Sequence, residues 1–430
     1  MKVLILGGYG FIGAAVMRAC VSAGFDCTGL GRSAATGERL VPGARWIGAD
    51  MAQLDAPEKW APHLLGVEAV VNAAGALQDG PRDDLEAIHH RAIAALVAAA
   101  EKAGVKRFVQ ISAPGASPSA STAFLRTKAA GDAAVRASTL DWILLKPGLV
   151  IGRGAYGGTA LLRMLAGLPL MTPLVHAGAR VQTVALDEVA GAVAAGLKGE
   201  VPMRWDYDLV EDKPHSLRDI VRGFRRQLGF APARIEPDLP AWSARPVAVL
   251  ADVAGLFGWR SPLRSTALKV MGEDVLADPS AWRAATGRSL KAFEETLAGL
   301  PGDMQDRIFA RAQLALPVMI IALAAFWIVS GLVGIARMDA AATHVVSLGG
   351  FWSRAAVAGG AAADILIGAA ILFRRSARPA LVASVALAFI YLVMGTLVAP
   401  HIWADPLGPY VKILPAIALG AVAALLLEER

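Results

Sequence analysis

The stretch Lys2-Val3-Leu4-Ile5-Leu6-Gly7-Gly8-Tyr9-Gly10-Phe11-Ile12-Gly13 decides the first half of the fold. Lys2–Leu6 is a short apolar run bounded by glycine, the pattern of a buried parallel strand. The glycines Gly7, Gly10 and Gly13 follow at intervals of three, and Ala14–Ala23 then reads as a helix. In such a turn the first glycine permits the tight reversal. The second lets backbone approach a pyrophosphate, and the third lets helix and strand pack closely. The helix that opens there presents unpaired N–H groups and a partial positive charge to an anion. Glycines at this spacing are common, and the strand–turn–helix context is what makes them a dinucleotide-binding turn. Gly7, Gly10, Phe11, Ile12 and Gly13 are its candidate cofactor contacts.

Reading outward, Cys27–Leu30, Arg45–Ala49, Ala69–Asn72, Arg107–Ser112 and Trp142–Lys146 are predicted strands, and Leu85–Ala103 is a predicted helix ending at Gly104. Strands alternating with helices at this spacing predict an α/β Rossmann fold, a doubly wound parallel sheet. Sites that prefer NAD place a carboxylate at the end of the second strand. That strand ends Leu30-Gly31-Arg32-Ser33, and Asp26 stands at its opposite end. Arg32 and Ser33 are suited to a 2′-phosphate through charge-assisted hydrogen bonds, which favours NADP(H) over NAD(H). The core is expected over residues 1–150. Residues 151–303, less regular and richer in proline and tryptophan, are expected to complete the domain with a small substrate lobe.

Hydrophobic residues make up 55% of the chain and charged residues only 18%, and the apolar excess is concentrated after Leu314. Leu314–Ala336 runs 23 residues without a charge, enough for about 34 Å of helix. Ala355–Phe373, Ala380–Ala399 and Ile413–Leu427 follow, the last needing Pro409–Lys412 to reach across. Residues 304–430 therefore read as an all-α bundle of about four transmembrane helices, with the lipid bilayer as partner. With the first domain inside, the inner flanks carry Arg307, Arg311, Arg374, Arg375 and Arg378, and the outer flanks Arg337, Arg354 and Lys412. That balance places the first domain in the cytoplasm, on the inner membrane. Trp352 and Trp403 fall near helix ends on the outer side. No signal-peptide pattern precedes Gly7. Asp364, a carboxylate within a span, implies either a proton, ion or quinone-related site or a polar contact inside the bundle. His344, Arg354, His401 and Asp405 flank the outer ends, where loop solvation accounts for them as well as binding does.

The net charge of +6 lacks a basic block interleaved with aromatics, so no nucleic-acid partner is expected. The two cysteines, Cys20 and Cys27, read as buried thiols, and no metal-spaced cluster is found.

Gly7–Gly13, Asp50-Met51 after the third strand, Asn72-Ala73-Ala74-Gly75 after the fourth and Lys146-Pro147-Gly148 after the sixth resemble an extended or atypical short-chain dehydrogenase/reductase. The resemblance covers roughly residues 1–300. Val70–Leu77 and the Ala87–Ala113 region look most like the group containing the nucleotide-binding accessory subunit of respiratory complex I. It implies that Asp50, with Met51 beside it, contacts adenine, that Ala73, Ala74 and Gly75 line the cofactor, and that Pro147 and Gly148 lie near the nicotinamide. The C-terminal bundle resembles the DoxX-like membrane family.

Members of that superfamily use a Tyr-x-x-x-Lys pair with a serine, two side chains one helical turn apart. The matching segment here is Phe124-Leu125-Arg126-Thr127-Lys128. Lys128 is present as a ribose ligand, and Phe124 supplies no proton. Ser112 is the candidate serine, although Ala113 competes for that alignment. Tyr156 is the nearest tyrosine in sequence. His89-His90 is expected to pack or face solvent, and Asp187-Glu188 to cap the following helix. The leading reading is an NAD(P)(H)-binding oxidoreductase acting beside the membrane on a quinone or another lipid-soluble acceptor. The alternative is a non-catalytic redox sensor or an assembly factor for a membrane complex. A nucleotide-sugar epimerase or dehydratase needs the missing tyrosine.

Overall fold

The computed structural model describes residues 1–80, 83–154, 157–345 and 349–427. They form two compact units, Met1–Asp252 with Pro262–Arg307, and Val253–Ser261 with Ile308–Arg430.

In the first unit, β1 (Lys2–Leu6), β2 (Asp26–Gly31), β3 (Arg45–Gly48), β4 (Ala69–Asn72), β5 (Arg107–Ile111) and β6 (Asp141–Pro147) lie in one sheet with a seventh strand, Trp205–Leu209. The order is Trp205–Leu209, β6, β5, β4, β1, β2, β3, and every pairing is parallel. Both faces are covered, so the strands read as continuous apolar runs. Val3 and Ile5 of β1 pack with Val71, Ile143 and the helix Leu186–Lys198 on one face. Leu4 and Leu6 pack with Val70, Leu144 and the helix Ala92–Lys102 on the other. The strand order reverses between β1 and β4, and ligands of such sheets bind beyond the carboxyl ends of the strands at that point.

Some local expectations change. Asp187 and Glu188 do not cap their helix; Ala185 holds the cap position and both acids fall inside the first turn. Negative charge there still complements the helix dipole, and both acids also reach Lys291, Asp187 to its ammonium at 2.7 Å and Glu188 to its amide at 2.9 Å. The predicted helix from Leu85 begins with a π-helical turn, Ala87–Arg91, before the regular helix Ala92–Lys102. Cys20 and Cys27 are buried free thiols.

Among its described residues the second unit has four helices long and apolar enough to cross a membrane: Met304–Ala336, Gly350–Leu372, Ala377–Val398 and Pro409–Leu426. The last starts at Pro409, so the recruited residues are helical. Asp364 sits inside this bundle, 4% exposed. Its two oxygens accept from Ser330 Oγ and Tyr391 OH, each at 2.8 Å. Ser330 and Tyr391 lie on two other helices, so the carboxyl group ties three helices together by side-chain hydrogen bonds. Arg354 pairs with Asp339 at 2.9 Å, the rings of His344 and His401 stack at 6.4 Å, and Trp352 is two-thirds exposed.

Candidate functional site

Two groups of residues meet at the carboxyl edge of the sheet. The first is the glycine turn. Gly7 leaves β1 at φ +67°, a conformation open to glycine at little cost. Its amide donates to Leu30 O at 2.9 Å, and the Gly10 amide returns to Gly7 O at 2.8 Å. Gly13 presses helix α1 (Phe11–Ser22) onto the turn so closely that a Cβ there would lie 2.1 Å from Gly7 O. Gly10 caps α1 without a side-chain hydrogen bond. The first-turn amides of Phe11, Ile12 and Gly13 therefore have no intrahelical partner and point toward any anion placed at the turn. Around Gly10 a Cβ would meet only Gly7 O, at 3.1 Å, so this is an open backbone cradle. These residues fit a dinucleotide pyrophosphate.

Ala73–Gly75 run alongside. The Asn72 side chain accepts from the Ala74 amide at 3.1 Å, fixing the exit from β4. A Cβ on Gly7 would come within 2.7 Å of Ala74 Cα. Pro147 ends β6, and Gly148 follows it, its amide bonded to Leu209 O at 3.0 Å. Asp50 uses its carboxylate to accept from the Ala52 amide at 3.2 Å, and Met51, buried, begins the short 3-10 turn it caps. Arg32 follows β2, and its Nη1 donates to Asp83 at 2.9 Å. Ser33 is the N-cap of helix α2 (Ala34–Leu40), accepting from the Thr36 amide at 3.2 Å. Asp26, at the far end of β2, pairs with Arg45 at 2.5 Å.

The second group lies on the helix Ala123–Ala137 and the strand ends beneath it. Lys128 is 6% exposed and donates to Ile111 O at 2.9 Å and Ala74 O at 3.4 Å. Burial lowers its pKa to about 8, against an opposing pull from Asp132. Asp132, one turn further along the helix, is buried. It accepts from Ser112 Oγ and, at 3.3 Å, from Gln110 Nε2, while Asn72 Nδ2 donates to Gln110 Oε1 at 2.9 Å. Desolvation raises the Asp132 carboxyl pKa, partly offset by the Ser112 hydrogen bond and the Lys128 charge. Asn72, Gln110, Asp132 and Ser112 thus form a continuous buried chain, in which the Ser112 hydroxyl is committed to Asp132.

Phe124 turns its ring edge-on to His89, centroids 5.6 Å apart. His89 is 2% exposed. Its Nε2 accepts from the Ala76 amide at 3.1 Å and its Nδ1 lies 2.9 Å from Thr127 Oγ1, a pattern that assigns the proton to Nδ1. Burial, with the Lys128 charge, pushes its pKa down to about 2, so it stays neutral and packs. His90 is exposed and pairs with Glu86 at 2.6 Å. Tyr156 lies outside the described residues. Asp132 and Gln110 escaped the sequence reading. The available signal for Asp132 was its i,i+4 spacing from Lys128, which puts both on the buried face.

Comparison with known proteins agrees with both halves of the chain. Residues 7–162 match the NAD(P)H-binding family, and residues 324–421 match the DoxX-like family. An uncharacterized chloroplastic protein of Arabidopsis thaliana is 27% identical over 175 residues, and the match spans 39% of this chain and 57% of that protein. The chain thus spans little over half the length of that relative. Among solved structures, Thermus thermophilus UDP-glucose 4-epimerase in complex with NAD superposes with a TM-score of 0.52 at 21% identity, over 69% of this chain and 96% of that one. Citrobacter sp. triphenylmethane reductase complexed with NADP(H) gives 0.53 at 18% identity, over 69% and 99%. The chain therefore joins an NAD(P)-binding Rossmann domain, with the fold of the short-chain dehydrogenase/reductases, to a DoxX-like domain bearing four apolar helices.

Proposed function

We propose that this protein is a membrane-anchored oxidoreductase that uses NADP(H), in preference to NAD(H), to reduce a lipid-soluble acceptor of the quinone class. The observation that carries the reading is the pairing of an open glycine cradle with a site that has lost its proton donor. Phe124 offers a phenyl edge where a phenol would stand, the Ser112 hydroxyl goes to Asp132, and two of the three Lys128 N–H groups go to backbone carbonyls. Hydride delivered to a simple carbonyl leaves a strongly basic alkoxide that needs an acid beside it. Hydride delivered to a quinone leaves a delocalised phenolate-type anion that water can protonate. Bound NADPH supplies that hydride. The chain contributes the α1 amides to hold the pyrophosphate, Ala73, Ala74 and Gly75 to line the cofactor, Asp50 and Met51 on the adenine side, and Pro147 and Gly148 on the nicotinamide side. Lys128 serves the nicotinamide ribose. Arg32 and Ser33 are the 2′-phosphate ligands, and Arg32 reaches it by exchanging or sharing its contact with Asp83.

The balance of arginine and lysine, five on one side of the spans against three on the other, supports the inner membrane with the nucleotide domain in the cytoplasm. The commitment of Ser112 and Lys128 to internal partners favours one alternative, a sensor or assembly factor that holds the dinucleotide without turnover. NADPH oxidation by the full-length protein in detergent, with soluble carbonyls and quinones as acceptors, separates the readings. Oxidation with quinones alone supports the reductase. Robust carbonyl reduction overturns the reading of Phe124, and tight binding without oxidation by any acceptor leaves the sensor.

A further inference from the structure

The loop that leaves the short strand Leu149–Ile151 is held by a buried charge with no part in the site described above. Arg163, on the helix Gly158–Ala166, is 4% exposed. Its Nη2 donates to Gly152 O at 2.6 Å and its Nη1 to Arg153 O at 2.9 Å. The guanidinium also lies 5.5 Å from the centre of the Phe224 ring, within reach of a cation–π contact. A guanidinium taken out of water is destabilising unless its N–H groups find acceptors. Here two successive loop carbonyls supply them, so the buried charge fixes the path of the loop.

That path runs against the glycine turn. A Cβ on Gly152 would lie 2.7 Å from Leu186 Cδ2, and one on Gly154 would lie 3.4 Å from the Phe11 ring. Phe11 is the first residue of α1, whose opening amides face the pyrophosphate position. Arg153 stands between the two glycines and is exposed. Among the described residues its side chain has no ion-pair or hydrogen-bond partner. The cradle lacks such a charge. A dinucleotide pyrophosphate carries a negative charge on each phosphate, and a helix N-terminus answers with about half a positive charge. Gly7–Gly13 contains no lysine or arginine. Lys128 is bonded to Ile111 O and Ala74 O, and Arg32 follows β2 beside Asp83.

We propose that Arg153 is a further cofactor ligand, a cation that Arg163 positions for the pyrophosphate. Its guanidinium makes a charge-assisted contact with the phosphate oxygens, and the contact is the same for NADPH and NADH because both carry that group. The inference rests on dinucleotide binding at the glycine turn and is independent of the acceptor assigned above.

The test is calorimetric titration of the full-length protein in detergent with NADPH, NADH and ADP-ribose. Arg153→Gln alters an exposed side chain and leaves the core intact. It should weaken all three ligands about tenfold, as expected for one charge-assisted contact, with the NADPH-to-NADH ratio unchanged. Arg153→Lys keeps the charge and should recover most of the affinity. Unchanged binding of all three ligands in Arg153→Gln would overturn the proposal. So would a loss confined to NADPH, which would put Arg153 at the 2′-phosphate, or a loss that spares ADP-ribose, which would put it at the nicotinamide end. A wild type that binds none of the three would overturn the dinucleotide reading and this proposal together. Arg163→Lys keeps a charge but loses the two-pronged fork. It should weaken binding several-fold when Arg153 is present and have no effect in the Arg153→Gln background. An equal loss in both backgrounds, or none in either, would remove Arg163 from the positioning role.

Discussion

The glycine turn and the Ala123–Ala137 helix border the same sheet edge, yet they keep opposite things. At the turn every constraint serves an approaching anion: a left-handed glycine, a third glycine 2.1 Å from backbone for any added Cβ, and a helix N-terminus with no side-chain cap. Around Lys128 on the helix the polar groups turn inward: Lys128 to two carbonyls, Ser112 to Asp132, His89 to Ala76 and Thr127. Backbone geometry binds, whereas a side-chain proton must face outward to react. A cofactor site can therefore persist while its acid–base partner becomes internal scaffolding, and the first does not certify the second.

The largest effect is expected at the turn. Gly10→Val places two methyl groups in the open cradle above Gly7 O. Dinucleotide affinity should fall by roughly a hundredfold or more, about 3 kcal/mol, while the four apolar helices still insert. Calorimetry with the detergent-purified variant measures it; unchanged affinity would show that the pyrophosphate does not sit at this turn.

The next test asks whether the turn's neighbour reads the phosphate. Arg32→Ala should weaken NADPH binding about tenfold to a hundredfold more than NADH binding, since one charge-assisted contact is worth roughly 1.5–3 kcal/mol. Asp83→Asn should shift preference the other way by loosening the 2.9 Å pair. Equal losses for both cofactors in Arg32→Ala would remove Arg32 from the site.

The inward-facing side of the comparison has a pH signature. His89 has a native pKa near 2, against about 6.5 in the unfolded chain. Below pH 6.5 the unfolded state takes up a proton that the native state refuses, so stability falls as the pH drops through that window. One proton is worth about 1.4 kcal/mol per pH unit, or about 2 kcal/mol between pH 6.5 and 5. Hydrogen exchange of the Ala92–Lys102 amides, corrected for intrinsic rates, should show that dependence in the wild type and lose most of it in His89→Asn. An identical slope in both would show that His89 titrates freely.

Much of this was legible in the chain. Parallel strands buried on both faces leave uninterrupted apolar runs, and spans leave long charge-free ones, so sheet and bundle follow from hydropathy. Asn72, Lys128 and Phe124 were found because each lies beside a recognisable turn or helix signal. The seventh strand, Trp205–Leu209, was missed by name because Asp206 and Asp208 interrupt its pattern. Asp206 meets Arg136 and Lys146, partners remote in sequence. Asp132 was missed for the same physical reason: a buried carboxylate reads as a surface residue until the fold supplies Ser112 and Gln110. The Asp83 partner of Arg32, 51 positions away, also depends on tertiary contact alone.

The smallest expected effect returns a proton to the face that lost it. Phe124→Tyr adds one hydroxyl one helical turn from Lys128, whose pKa of about 8 leaves it mostly cationic at neutral pH. A cation nearby lowers a phenol's pKa and makes it a better acid. Two things limit the gain. The ammonium stays bonded to Ile111 O and Ala74 O, so it influences the phenol by charge rather than by direct contact. The Ser112 hydroxyl remains with Asp132 and does not help orient a carbonyl. The variant should acquire slow NADPH-dependent reduction of soluble carbonyls above the wild-type background, with quinone reduction changed little. Its rate should decline as the pH rises past 8, because loss of the Lys128 charge returns the phenol toward its ordinary pKa. A variant as inactive on carbonyls as the wild type would show that a second feature besides the missing hydroxyl, the inward commitment of Ser112 and Lys128, also blocks the proton step. Vigorous wild-type carbonyl reduction would erase the contrast between the two regions altogether.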